Sequence, residues 1–143
     1  MSHDDGRNPM RWECSRQGCF NRVKRPKIEW FADCLPGRIA FSDIDAITEV
    51  CGNLLILEFK EHQGLSTGQR VLFERMTRMC PATVLIVEAD AQSMTVQSIA
   101  VVSEGVISPP KRADLGDLRA RIQAWTEMAL VHSPLRSEPA ACR

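Results

Sequence analysis

The stretch Asn53-Leu54-Leu55-Ile56-Leu57-Glu58-Phe59-Lys60 constrains this chain more than any other. Side chains alternate between the two faces of a strand. Leu54, Leu55, Ile56, Leu57 and Phe59 are therefore apolar on both faces, which predicts a central strand over 53–60 covered on each side. The strand ends in an acid and a lysine, and buried charges are costly unless something pairs them. Glu58 and Lys60 can pair with each other as a structural ion pair. They can also help to hold a hard cation that demands oxygen ligands.

The rest of the chain supplies what such a strand needs. Residues 39–48 read as a first strand, joined to 53–60 by a hairpin turn at Cys51-Gly52-Asn53. Residues 26–35 open with Pro26 and space Ile28, Phe31, Ala32 and Leu35 as a helix, stopped by Pro36-Gly37. Residues 66–79 are helical, with Leu72, Phe73, Met76 and Met79 on one face. Thr83–Ala89 forms a continuous apolar strand, and 94–102 alternates weakly as an edge strand. After a break at Ser108-Pro109-Pro110, a last helix carries Leu115, Leu118, Ile122, Trp125 and Ala129 on one stripe. The expected fold class is α/β: one mixed central sheet flanked by helices, in the order α-β-β-α-β-β-α.

Length and charge narrow the function. At 143 residues the chain predicts one domain, and 44% hydrophobic residues are enough for a single core. Lys plus Arg and Asp plus Glu each total 18, which excludes a wholesale basic coat but not a local basic face. Between Arg7 and Lys27 lie seven basic residues and one acid, Glu13. Residues 1–25 are read as a basic arm, with Arg22, Lys24, Arg25 and Lys27 as phosphate contacts, or as a solvated segment. Residues 26–131 form the domain, and 132–143, with two prolines, a flexible tail. No apolar run approaches a membrane span and the start is polar, so a cytoplasmic protein is expected, with no membrane partner. The six cysteines are then expected as thiols or metal ligands rather than disulfides.

Acids gather around the hairpin. On a strand over 39–48, Asp43 and Asp45 share one face. Asp45 meets Glu58 if the register places them side by side. Two acids from adjacent strands match what Mg²⁺ uses, one or two carboxylates with waters and substrate phosphates. The ammonium of Lys60 can orient the attacking water or offset charge growing on phosphorus.

Asp45 followed by Glu58-Phe59-Lys60 resembles the pattern of the PD-(D/E)XK nuclease superfamily, an Asp on one strand and Glu-x-Lys on the next. The separation of the two is similar to that in Holliday-junction-resolvase-like members, and the segment from Arg25 to Lys60 also looks like small phage proteins of this superfamily. The family often places a Gln on the helix after Glu-x-Lys, where Gln69 stands. The likeness covers roughly residues 26–90. It implies a restriction-endonuclease-like fold and Mg²⁺-dependent hydrolysis of DNA phosphodiester bonds, with branched DNA the substrate that the resolvase-like members suggest and Mn²⁺ able to substitute. Asp45 and Glu58 would be metal ligands and Lys60 the catalytic lysine. Resolvase-like members usually act as dimers, so a homodimer is implied as well. The chain departs from the pattern where Ile44 replaces the Pro before Asp45, and Asp43 is an extra acid that leaves open which Asp is the primary ligand.

Other residues have competing readings. Ser66-Thr67-Gly68-Gln69 reads as a capping box, which would turn Gln69 back onto the backbone; the alternative aims it at the acids. Glu29 reads as an exposed helix acid, although a first-helix Glu contributes to the metal site in some relatives. Cys14, Cys19 and Cys34 suggest zinc, but a fourth ligand at familiar spacing is missing, so zinc is not expected. His62 reads as a loop residue, and Trp125 as core. An alternative to catalysis is a nucleic-acid-binding module on the same fold.

Overall fold

The computed structural model describes residues 28–62 and 64–135. The chain forms two compact units, Met1–Phe41 and Ser42–Arg143. In the first, the expected helix over 26–35 is a 3-10 helix, Ile28–Cys34. Ile28, Trp30 and Phe31 are exposed along it, so no buried apolar stripe holds a regular α-helix there.

The second unit is a mixed α/β fold, a six-stranded sheet with two α-helices. Its strands are β1 (Ala46–Val50), β2 (Asn53–Lys60), β3 (Ala82–Asp90), β4 (Thr95–Ser103), β5 (Val106–Ile107) and β6 (Lys111–Arg112). Helix α1 spans Thr67–Met79 and α2 spans Leu115–Val131. The sheet order is β1-β2-β3-β4-β5, with β6 also paired to β4. Pairs β1–β2 and β3–β4 are antiparallel, whereas β2 and β3 run parallel because α1 carries the chain back between them. The observed order departs from α-β-β-α-β-β-α by the 3-10 helix at the start and two short strands before α2.

Alternation along β2 sends its side chains into two cores. Leu55 packs with Leu85, Val87, Ile99, Leu118, Trp125 and Ala129 under α2, with Leu57 and Phe59 against them. Ile56 packs with Phe73, Val84, Ile86, Ala100 and Val102 under α1. The helices therefore cover opposite faces, and even-numbered positions of β2 face α1. Each large side chain buried this way contributes about 1.5–3 kcal/mol.

Three expectations are corrected. The strand expected over 39–48 begins only at Ala46, so Asp43 and Asp45 precede it rather than share a face of it. Strand β4 is not an edge: β5 and β6 pair with its outer side. The break between them takes part in this cover, since Val101 N donates to Ser108 Oγ at 2.9 Å and Ser108 N donates to Val101 O at 2.8 Å. Met79 points outward at the end of α1, 81% exposed, while Phe73 and Thr77 are the buried residues of that helix.

The hairpin turn falls where expected. Cys51 and Gly52 take φ of 52° and 86°, the two positive values that a two-residue primed turn requires. Asn53 fastens the described start of the tail to this turn, donating from Nδ2 to His132 O at 2.9 Å. Cys51 is disulfide-bonded, against the expectation of thiols or metal ligands. Cys34 and Cys80 are free and exposed. Among the described residues no helix is long and apolar enough to cross a membrane.

Candidate functional site

The apolar length of β2 fixes where its last residues lie. Glu58 and Lys60 continue the α1-facing row begun by Ile56, so burial of the strand carries Glu58 under the start of α1, only 4% exposed. Helix α1 begins with a complete capping box. Gln69 N donates to Ser66 Oγ at 3.3 Å, and Ser66 N donates to Gln69 Oε1 at 3.4 Å. The same Gln69 amide also reaches the strand. Its Nε2 donates to Glu58 Oε1 at 2.7 Å, and its Oε1 accepts from Lys60 Nζ at 2.7 Å. Donor toward carboxylate and acceptor toward ammonium is the one amide orientation that serves both partners. The two readings of Gln69, cap and site, therefore hold together.

Lys60 Nζ also pairs with Glu58 Oε1 at 3.0 Å, closing a triangle of Glu58, Lys60 and Gln69. Every partner converges on Oε1. The other carboxylate oxygen, Glu58 Oε2, is buried and has no hydrogen-bond partner. An unpaired buried carboxylate oxygen is expensive, and such exceptions call for a strain, ligand or catalytic account.

The register answers whether the acids meet. Ala46 pairs with Leu57, and one further step of the same register sets Asp45 opposite Glu58. Phe59 N donates to Asp45 Oδ2 at 2.7 Å. The Asp45 side chain thus supplies an acceptor at the point where the ladder stops, the local competition that ends strands at Asp. This accounts for the late start of β1. Asp43 lies two residues earlier in the exposed loop.

Sequence reasoning missed Glu88. It is the register partner of Lys60 across β2–β3, and its Oε2 accepts from Ser98 Oγ at 2.8 Å. Its signal was the polar end of an otherwise apolar strand, the same signal as at Glu58. His62 is exposed in the loop after β2, and Trp125 sits in the core under α2. Arg22, Lys24, Arg25 and Lys27, the cysteines Cys14 and Cys19, and the side chain of Glu29 lie outside the described residues.

Chemically, the end of β2 presents one buried carboxylate with a vacant oxygen, a partly exposed ammonium held by an amide, and an exposed carboxylate beside them. Comparisons with protein-family models, curated proteins and solved structures found no match.

Proposed function

We infer that Asp45, Glu58 and Lys60 form the centre of a divalent-metal-dependent deoxyribonuclease that hydrolyses phosphodiester bonds. The observation that carries this reading is Glu58 Oε2, buried and unpartnered beside a lysine that an amide holds in place. The donor set fits a hard cation. Among the described residues no three His, Cys, Asp or Glu side chains gather as a metal cluster. Two carboxylates from neighbouring elements are what Mg²⁺ uses, its other positions being left to water and phosphate. Asp45 and Glu58 would hold Mg²⁺ or Mn²⁺, with Asp43 the further acid nearby, and the ion supplies Lewis acidity toward the phosphate oxygens.

The chain's own groups do the rest. Lys60 holds a positive charge near the scissile phosphate and offsets the charge that develops on it. Gln69 fixes the Lys60 ammonium and leaves Glu58 Oε2 as the open side of that carboxylate. The restriction-endonuclease-like order, the PD-(D/E)XK resemblance, the DNA substrate and a homodimer belong to this same proposal. The order in which Asp45, Glu58-Phe59-Lys60 and Gln69 follow along the chain supports it.

The test incubates the protein with duplex, branched and single-stranded DNA in Mg²⁺ or Mn²⁺. Cutting by the wild type that is lost in Glu58→Gln and Lys60→Ala is the expected result; equal cutting by the variants refutes the site. A second reading, a nucleic-acid-binding module without catalysis, draws on the 3.0 Å Lys60–Glu58 contact as a purely structural ion pair. Calorimetric titration with Mg²⁺ separates the two, because the structural pair binds no ion.

A further inference from the structure

A single row of register partners crosses the sheet from the candidate site. Lys60 pairs with Glu88, Glu88 with Ser98, and Ser98 with Arg112. Three inter-strand steps separate Lys60 from Arg112, about 14 Å. Glu88, Ser98 and Arg112 line a cleft of about 860 Å³ at this end of the sheet. Arg112, Ala113 and Asp117 continue into a second groove of about 450 Å³ between β6 and α2.

The second groove has an unusual lining. Its charged lining is Lys111, Arg112 and Arg121 with one acid, Asp117, and the rest is Ala113, Ala120 and Ala124. The three bases are exposed, and none of them makes an ion pair among the described residues. The acids here make hydrogen bonds rather than ion pairs. Asp114 and Asp117 cap α2 reciprocally at 2.8 and 2.9 Å, and Glu88 accepts from Ser98. Three bases without ion-pair partners outnumber the single acid, Asp117, in the lining, and the surplus of positive charge beside small alanines suits a polyanion.

We propose that the β6–α2 groove, through Lys111, Arg112 and Arg121, binds the phosphate backbone of the nucleic acid several nucleotides from the scissile bond. This rests on the nuclease reading for its direction, since it takes the strand to run from Lys60 along the register row. The groove lies on the unit Ser42–Arg143.

The test measures binding of the full chain to a labelled duplex and to the matching single strand in EDTA, across a salt series. Lys111→Glu, Arg112→Glu and Arg121→Glu are combined, and Arg75→Glu, on the exposed side of α1, is the control. The expected result is an affinity at least about tenfold weaker for the triple variant, with the salt slope reduced by about 2 to 3. The melting temperature and the control variant's binding stay at wild-type values. Preference for duplex or single strand identifies which backbone the groove takes. Unchanged affinity and slope in the triple variant overturn the groove while leaving the nuclease reading intact. Failure of the wild type to bind either DNA at low salt overturns it as well. Groove-dependent binding by a wild type that cuts nothing in Mg²⁺ overturns the nuclease reading and sustains the groove.

Discussion

The two α-helices begin with the same device and use it differently. On α2, Asp114 and Asp117 cap each other at 2.8 and 2.9 Å, and the acids suit the positive end of the helix dipole. On α1, Ser66 and Gln69 make the same reciprocal pair at 3.3 and 3.4 Å. The α1 box is looser because the Gln69 amide is shared, with its shortest bonds, 2.7 Å each, going to Glu58 and Lys60. An acid at position 69 would serve the cap equally well but would face the Glu58 carboxylate. A neutral amide reconciles helix start and site, and the first turn of α1 carries no acid. One motif therefore serves the helix start alone on α2, and on α1 serves both the helix start and the Glu58–Lys60 pair.

The most severe way to probe this difference is Glu58→Gln. Cleavage of DNA in Mg²⁺ should fall on the order of 1000-fold or more, measured by single-turnover kinetics. Retention of activity would reduce the α1 box to a cap like its counterpart. Next comes Lys60→Ala, which leaves Glu58 buried with only Gln69 as partner. It should lower unfolding stability by about 3 kcal/mol in a urea melt. A loss below about 1 kcal/mol would show that the pair does not depend on its burial.

The comparison sharpens with paired cap variants. Asp114→Ala should cost about 1 kcal/mol, the ordinary value of an N-cap. Gln69→Ala should cost about 2 kcal/mol, because it also strips a donor from a buried carboxylate. Equal losses in the two urea melts would make the boxes equivalent. The smallest effect is expected at Asp90, where the backbone N–H groups of Gln92 and then Ser93 hold the carboxyl below its ordinary value. A carboxyl lowered in the folded state stabilises above its unfolded pKa, and that contribution fades as pH falls through the folded value. The stability difference between wild type and Asp90→Asn, read from melts between neutral and acid pH, should shrink toward acid.

Much of this arrangement was legible in the sequence wherever burial wrote a pattern. Strand β2 begins and ends at Asn53 and Lys60 as expected, because its apolar run meets a turn at one end and charges at the other. Asp45 falls opposite Glu58 because the hairpin turn at Cys51-Gly52 sets the register for everything before it. What escaped has physical reasons too. Strands β5 and β6 are two residues long, too short for any periodicity, so β4 was read as an edge. The ladder's end at Asp45 depends on a side chain bonding the backbone of a residue fourteen positions away, which no local pattern encodes. Glu88 becomes part of the row only through the parallel pairing that α1 creates.

Sharing Gln69 also ties two local openings into one. Fraying of the first turn of α1 withdraws the amide that steadies Lys60, so the helix end and the close of β2 must come apart as a single cooperative unit. Hydrogen exchange at the Gln69 and Phe59 amides would then proceed at matched rates, and a ligand drawn to Glu58 would slow both at once.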